Sequence, residues 1–308
     1  MTNRTARNKA VVLVVLGLFA RPEGRAVQAS GQAPSTPSTP STKAGQASTG
    51  RGRVPSVRLY VLDCGVLKRG EPTAYGLTRA QVGSTDFSDA CYLVVHPRGT
   101  LLWDVGIIPD DDIKPGGVEV QTPRGANVAS RTLRSQLQQL GYTTKEITDL
   151  AISHGHADHI ANANEYAGST LLMQSAEWDS LFSDAARKQP LFATYNRLEN
   201  SKTIKLKGDH DVFGDGTVML ISTPGHTPGH QSLFLKLAKF GPLVLTGDLY
   251  HYAAERTLNK IPTADNQEQT AASRAAIDAL LQKTGAQLWI QHDILANATL
   301  KKAPLYYD

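Results

Sequence analysis

Several signatures are missing from the sequence, and each absence removes a class of function. No Gly-rich phosphate loop of the GxxxxGK type or the GxGxxG type occurs, so nothing points to a doubly wound nucleotide-binding fold. The apolar run at residues 10–20 is 11 residues long, short of the roughly 18 needed to cross a bilayer as a helix. Basic excess is confined to the start. Residues 1–53 hold eight Lys or Arg against the single acid Glu23; of the 32 basic and 28 acidic residues overall, 24 and 27 therefore remain, a net charge of −3. A body so charged lacks the Lys and Arg gathered on one face that nucleic acid requires, and no nucleic-acid partner is expected. Cysteine is scarce: Cys64 and Cys91 are either one disulfide in an oxidising compartment or two small buried hydrophobes, and the sequence leaves both readings open.

What is present divides the chain into three parts. Residues 1–29 carry the elements of a secretory signal: a basic start (Arg4, Arg7, Lys9), the apolar run, and small residues near 26–30 where a peptidase can cut. The expected location is periplasmic or secreted, with no stable membrane span after processing. Residues 30–53 are almost entirely Ser, Thr, Pro, Gly, Ala and Gln, too polar to offset the entropy of ordering, and read as a disordered linker. Residues 54–308 read as one domain. Short apolar runs punctuated by Gly, Pro and Asp predict strands at 57–64, 91–95, 101–105, 150–153, 171–174, 218–222, 232–237, 243–246 and 288–291. Helical spacing occurs at Leu133, Leu137 and Leu140, closed by Gly141, and at Ile277, Leu280 and Leu281, closed by Gly285. Strands first, then strands mixed with helices, predict an α/β protein with layered sheets and helices outside.

The chemistry concentrates in Ser153-His154-Gly155-His156-Ala157-Asp158-His159. A lone histidine is more often structural than a ligand, but three imidazoles and a carboxylate within six residues are hard to explain structurally. In an extended stretch, residues two apart face the same way, so His154 and His156 can grip one ion. Asp158 and His159, where the chain is expected to turn into a helix beginning near Ile160, would point at a second position. One loop cannot close two coordination shells, so further ligands are required downstream. The candidates stand at the ends of predicted strands: His226 in Thr223-Pro224-Gly225-His226, Asp248 in Leu245-Thr246-Gly247-Asp248, and His292 in Trp289-Ile290-Gln291-His292. Asp248 is suited to bridging, having two oxygens to share between two cations. The implied cofactors are two divalent ions; mixed His and Asp ligands suit zinc and also accept iron, manganese or cobalt.

His154, His156, Asp158, His159, His226, Asp248 and His292 together resemble the full ligand series of the metallo-β-lactamase superfamily. The resemblance covers nearly all of residues 57–293, and Leu101-Leu102-Trp103-Asp104-Val105-Gly106 is similar to the family's early strand ending in Asp and Gly. The stretch Thr223-Pro224-Gly225-His226-Thr227-Pro228-Gly229-His230 and the separations of 22 residues from 226 to 248 and 44 from 248 to 292 look most like the N-acyl homoserine lactonases. The resemblance implies an αββα sandwich with the site at one edge of the two sheets. It implies His154, His156 and His226 on one metal, Asp158, His159 and His292 on the other, and Asp248 between them. The activity it implies is hydrolysis of a small lactone or ester by a hydroxide bridging the metals, with Asp158 orienting that hydroxide and later handing its proton to the leaving oxygen. A homodimer is compatible with it.

One position departs from the pattern. Homoserine lactonases usually carry a tyrosine three residues after the bridging Asp, where its hydroxyl contacts substrate; here that position is His251, and the tyrosine is Tyr250. A substrate contact is expected from one of the two, since Tyr offers a hydroxyl donor and His a switchable proton. His230 is expected to support the loop that carries His226, and His96 and His210 to lie at the surface. Segments 68–89 and 178–200, the latter with Phe182, Leu191, Phe192 and Tyr195, are candidate pocket walls, though core packing or a dimer contact explains those side chains equally. The competing readings are a β-lactamase, a glyoxalase II-like thioester hydrolase and a non-catalytic metal-binding protein. Asp248 stands against the first, the sixteen residues left after His292 against the second, and the seven filled ligand positions against the third.

Overall fold

The computed structural model describes residues 54–308, so the signal and linker expectations lie outside the described residues. The eight-stranded sheet is built from β1 (Arg58–Arg69), β2 (Phe87–His96), β3 (Gly99–Trp103), β4 (Val118–Thr122), β5 (Gly125–Ala129), β6 (Asp149–Ala151), β7 (Thr170–Gln174) and β8 (Thr203–Leu206), in the order β4-β5-β1-β2-β3-β6-β7-β8. A five-stranded sheet holds β9 (His210–Asp211), β10 (Val218–Ser222), β11 (Gln231–Leu237), β12 (Gly241–Leu245) and β13 (Gln287–Trp289), in the order β13-β12-β11-β10-β9. The helices are α1 (Leu133–Gln139), α2 (Ala157–Ile160), α3 (Ser175–Leu181), α4 (Phe192–Tyr195), α5 (Ala253–Thr257), α6 (Gln267–Thr284) and α7 (Ile294–Thr299).

Strand β2 shows why the layers form. All ten of its residues are buried, as a strand covered on both faces requires. Because side chains alternate, Ala90, Tyr92 and Val94 enter the core between the sheets, where they meet Leu220, Leu233 and Leu245. Cys91, Leu93 and Val95 enter the opposite core, with Leu133 and Leu137 of α1. A third layer packs Phe234 and Val244 against Ile277 of α6. Helix, sheet, sheet, helix is therefore the order of layers, the αββα sandwich that the resemblance implies. Gly285 closes α6 in the left-handed conformation, as the spacing predicts.

Three expectations resolve here. Cys64 and Cys91 are disulfide-bonded across the adjacent strands β1 and β2, with Cα atoms 5.9 Å apart, so the free-thiol reading falls. His96, expected at the surface, is 5% exposed: loop residues Phe213 and Asp215 close over the end of β2, the Phe213 ring stacking on it at 4.1 Å and Asp215 lying 2.9 Å from its Nε2. His210, in β9, is half-buried. Phe182 and Tyr195 are buried in the α1-side core with Leu191 and Phe192 packed against them, so for these side chains the core-packing alternative is the one realised. Among the described residues no helix is long and apolar enough to cross a membrane.

The disulfide closes a chain separation of 27 residues, and cross-linking a loop of that size removes denatured-state entropy equivalent to about 3.5 kcal/mol. Replacing both cysteines with Ala, or adding reductant, is expected to lower the denaturant midpoint by a corresponding amount. Equal midpoints for oxidised, reduced and doubly substituted protein would refute the contribution.

Candidate metal centre

The candidate ligands all stand where strands end. β6 ends at Ala151 and delivers His154 and His156; α2, a single turn that begins at Ala157 rather than near Ile160, carries Asp158 and His159. His226 follows β10, Asp248 follows β12 and His292 follows β13. The sheets bring residues up to 138 positions apart in sequence into two groups sharing one carboxylate: His154, His156, His226 and Asp248, and Asp158, His159, Asp248 and His292, with the ligand atoms of each group within 4.8 Å of one another.

The distances fit coordination. Two atoms each about 2.0–2.1 Å from a shared zinc-sized ion, at tetrahedral angles, stand roughly 3.3 Å apart. In the first group His156 Nδ1 lies 2.9 Å from His154 Nε2 and 3.0 Å from His226 Nε2, and both Nε2 atoms lie 3.5 Å from Asp248 Oδ2. In the second group Asp248 Oδ1 lies 3.2 Å from His159 Nε2 and 3.1 Å from His292 Nε2, while Asp158 Oδ2 lies 3.8 and 3.5 Å from the same two nitrogens. One oxygen of Asp248 thus faces each group. His159 Nε2 and Asp248 Oδ1 are buried without a hydrogen-bond partner. Buried polar atoms are rarely left so, and convergent lone pairs without intervening protons are what a cation would satisfy. The residues fit a dinuclear site.

The outer ring nitrogens are held in turn. His154 Nδ1 lies 3.0 Å from Ser153 Oγ, His159 Nδ1 2.9 Å from Asp104 Oδ2, His226 Nδ1 3.0 Å from Asp265 Oδ1, and His292 Nδ1 2.8 Å from the Ser88 carbonyl. Each contact leaves Nε2 free for the centre, whereas His156 presents Nδ1. Asp104, at the end of the early strand, has a positive φ of 56° and is fully buried, a strained conformation held by what surrounds it. Its Oδ1 accepts from Ser153 N at 2.6 Å and its Oδ2 from Gln291 Nε2 at 2.8 Å, so one carboxylate ties the His154 loop, His159 and the segment before His292. His230 performs the support expected of it: its Nδ1 donates to the Thr223 carbonyl and its Nε2 accepts from Asp248 N, 2.9 Å away. Burial and the neighbouring His226 push its pKa down to about 3, so it serves as a neutral acceptor.

Electrostatics separates the two groups. Burial, then His159, holds His154 well below the ordinary range, and burial with His226 takes His156 down to about 4; both are neutral, as ligands must be. At His159 burial opposes the charged form, but Asp248, Asp104 and Asp158 outweigh it and lift the pKa well above normal. Burial opposes ionisation of Asp248 too, yet His292, His159 and His154 hold it well below the usual carboxylate range. The open side is at His156, which is exposed, and Asp158, whose side chain is 16% exposed.

The two catalytic expectations diverge. Tyr250 is 2% exposed and faces away from the centre, into the core beneath α6, where its ring lies 4.1 Å from the Arg274 guanidinium carbon. Its expected substrate contact is not what the structure provides: the backbone at Tyr250 is extended (φ −143°, ψ 141°), so neighbouring side chains point oppositely. His251 therefore takes the inward side. Its Nε2 is 3.2 Å from Asp248 Oδ2 and its Nδ1 3.4 Å from Glu255 Oε1. Burial is outweighed by Asp248 and Glu255, and its pKa rises to about 10.

Glu177 of α3 escaped the sequence reading. It is 2% exposed; Oε1 accepts from Gly155 N at 2.8 Å, and Oε2 accepts from Thr227 Oγ1 at 2.7 Å and Gly229 N at 3.0 Å. One carboxylate therefore pins both loops of the first group together. The approach is so close that a Cβ at Gly229 would sit 2.2 Å from Glu177 N, which explains a glycine there. No local signal marks Glu177, because its partners are 22 to 52 residues away.

The profile of the Metallo-beta-lactamase superfamily matches residues 85–292. The chain is 29% identical over 273 residues to the N-acyl homoserine lactonase AttM of Azorhizobium caulinodans, an alignment covering 82% of this chain and 99% of that protein. It is 28% identical over 222 residues to an N-acyl homoserine lactonase of Bacillus sp., covering 70% and 85%. Among solved structures, a Bacillus thuringiensis AiiA mutant with N-decanoyl-L-homoserine bound at its active site superposes with a TM-score of 0.67 at 23% identity, over 82% of this chain and 99% of that one. AidC, described as a dizinc quorum-quenching lactonase, gives 0.58 at 19% identity, over 82% and 94%.

Truncating a group that orients ligands commonly costs 10- to 100-fold in metal affinity, so Glu177→Ala is expected to weaken metal retention by about that factor. Chelator competition followed by metal analysis would measure it, and wild-type retention in the variant would show that the two loops are held without Glu177.

Proposed function

Because the chain belongs to the metallo-β-lactamase superfamily, we propose that it is a metal-dependent hydrolase that opens the ring of N-acyl homoserine lactones or closely related small lactones. The observation that carries the reading is Asp248, whose two oxygens face two separate sets of imidazoles, within a chain that aligns over most of its length with relatives named as lactonases. A pair of divalent ions held there, zinc being suited to these donors and iron, manganese or cobalt also accepted, would supply Lewis acidity that lowers the pKa of water toward 7 and steadies negative charge on a carbonyl oxygen.

The chain's own residues do the rest. Asp158 lies on the open side beside His292 and His159, which, against burial, hold its pKa below the ordinary carboxylate value. It is ionised at neutral pH and placed to take the proton of the attacking water and return it to the departing alkoxide. The open side admits substrate at His156 and Asp158, while Asp104 and Asp265 hold ligand imidazoles, Glu177 the backbone of the His154–His156 loop and His230 the backbone of Asp248, so that little reorganisation accompanies the reaction. We also read residues 1–29 as an export signal; the Cys64–Cys91 disulfide supports an oxidising destination, periplasmic or secreted, where a lactonase would be quorum-quenching.

The test is proton release by metal-loaded protein against hexanoyl-, decanoyl- and dodecanoyl-homoserine lactones, an aryl lactone and a cephalosporin, repeated with Asp248→Ala. Lactone opening is expected, with a loss on the order of 100-fold or more in the variant, which removes a donor from both groups. Cephalosporin turnover with inert lactones would move the chain to the β-lactamase reading.

A further inference from the structure

The connection between β1 and β2 carries a tyrosine whose ring the fold packs but whose hydroxyl neither the ligand series nor the fold uses. Tyr75 ends a single 3-10 turn, Thr73–Tyr75, whose Ala74 carbonyl accepts from Thr263 N at 3.1 Å, tying the turn to the segment between α5 and α6. Its ring lies 4.5 Å, centroid to centroid, from His251. His251 in turn sits 5.1 Å from His226 and 5.7 Å from His292, one candidate ligand of each group. Phe87 and Tyr252 meet the Tyr75 ring edge-on at 5.5 and 5.2 Å, so it is braced on three sides.

The hydroxyl is not used by the fold. Among the described residues it has no hydrogen-bond partner, yet it is not sealed from solvent: the side chain is only half-buried and its oxygen is absent from the buried unpaired atoms. Tyr252, beside it, spends its hydroxyl on the Thr85 carbonyl at 3.3 Å. Tyr250 is turned into the core, and both ring nitrogens of His251 face carboxylates. Tyr75 is left as the neutral donor next to the centre. Burial first, then the negative charge of Asp248, raises its pKa above the ordinary phenol value, which keeps the proton on the oxygen.

We propose that Tyr75 is the residue whose hydroxyl donates a hydrogen bond to the carbonyl oxygen of the ester group being opened, the contact that neither Tyr250 nor His251 is placed to make. The assignment rests on the lactone reading above. A donor aimed at a developing oxyanion acts mainly in the transition state, so its loss lowers kcat more than it raises KM. Phenylalanine at 75 keeps the ring that packs on His251, Phe87 and Tyr252 and removes only the oxygen.

The experiment measures kcat, KM and bound metal for wild type, Tyr75→Phe and Tyr250→Phe on N-hexanoyl-homoserine lactone and dihydrocoumarin. Expected are a fall in kcat of at least about tenfold on both substrates for Tyr75→Phe, KM within threefold, unchanged metal content, and Tyr250→Phe within twofold of wild type. Tyr75→Phe within twofold of wild type in kcat would overturn the assignment, as would a loss that appears only in KM or is accompanied by loss of metal. Wild-type protein inert toward both lactones would instead overturn the lactone reading, and this assignment with it.

Discussion

The constraint on which the rest depends is the burial of Asp248 between two sets of imidazole nitrogens. A carboxylate 3% exposed is costly unless its charge is met, and each of its oxygens meets two or more nitrogens at 3.1 to 3.5 Å. The two sides differ: His154 is held neutral by burial and His159, whereas Asp248, Asp104 and Asp158 overcome burial and favour the charged form of His159. Such a centre is badly matched to itself and well matched to cations. Its geometry must therefore be imposed from outside, by groups that do not face the centre.

That imposition comes from the two sheets and from a small set of buried carboxylates. Parallel pairing of β3 with β6, and of β12 with β13, sets the ends of these strands side by side, and the candidate ligands occupy the loops that follow β6, β12 and β13. Strand ends alone fix position to within a loop's freedom; the remaining ångström is removed by Asp104, Glu177, Asp265 and Glu255. Each is nine-tenths or more buried and each joins separate elements, Glu255 through Arg274 of α6, so that local fraying cannot loosen them one at a time. The disulfide between β1 and β2 fastens the middle of the larger sheet against the same disturbance.

How much of this the sequence disclosed follows from the range of each interaction. Ligands clustered within six residues, or placed at the end of an apolar run, are local patterns, and all seven candidates lie in the centre where the structure groups them. Layering was legible in the order of the runs, strands first and then strands mixed with helices, and the burial of β2 on both faces agrees with it. The hairpin of β4 and β5 was not, because each strand has only five residues and the alternation Val118-Glu119-Val120-Gln121 is too short and too exposed to stand out as a buried face. Glu177 and the burial of His96 were equally hidden, since both depend on partners brought in by the fold: Gly155 and Gly229 for one, Phe213 and Asp215 for the other. The start of α2 lies at Ala157 rather than near Ile160, a shift within the usual uncertainty of a helix start without a capping side chain; His156 occupies the cap and makes no such bond.

Positions 250 and 251 show how one extended residue decides which side chain faces the centre. With Tyr250 beneath α6, its ring lies over Arg274, and Arg274 Nη2 donates to Glu255 Oε2 at 2.7 Å. Glu255 Oε1 accepts the backbone N–H of His251 at 3.0 Å and of Tyr252 at 3.1 Å. The line Tyr250, Arg274, Glu255, His251, Asp248 thus runs from the α6 core to the centre with every charge answered by its neighbour. A phenol in place of the imidazole at 251 would have to share space with the Tyr75 ring, 4.5 Å from His251, and would leave Glu255 facing a group with no ring nitrogen. The imidazole at 251 and the tyrosine at 75 therefore pack as a pair, and a larger ring at 251 would have to displace the turn that carries Tyr75.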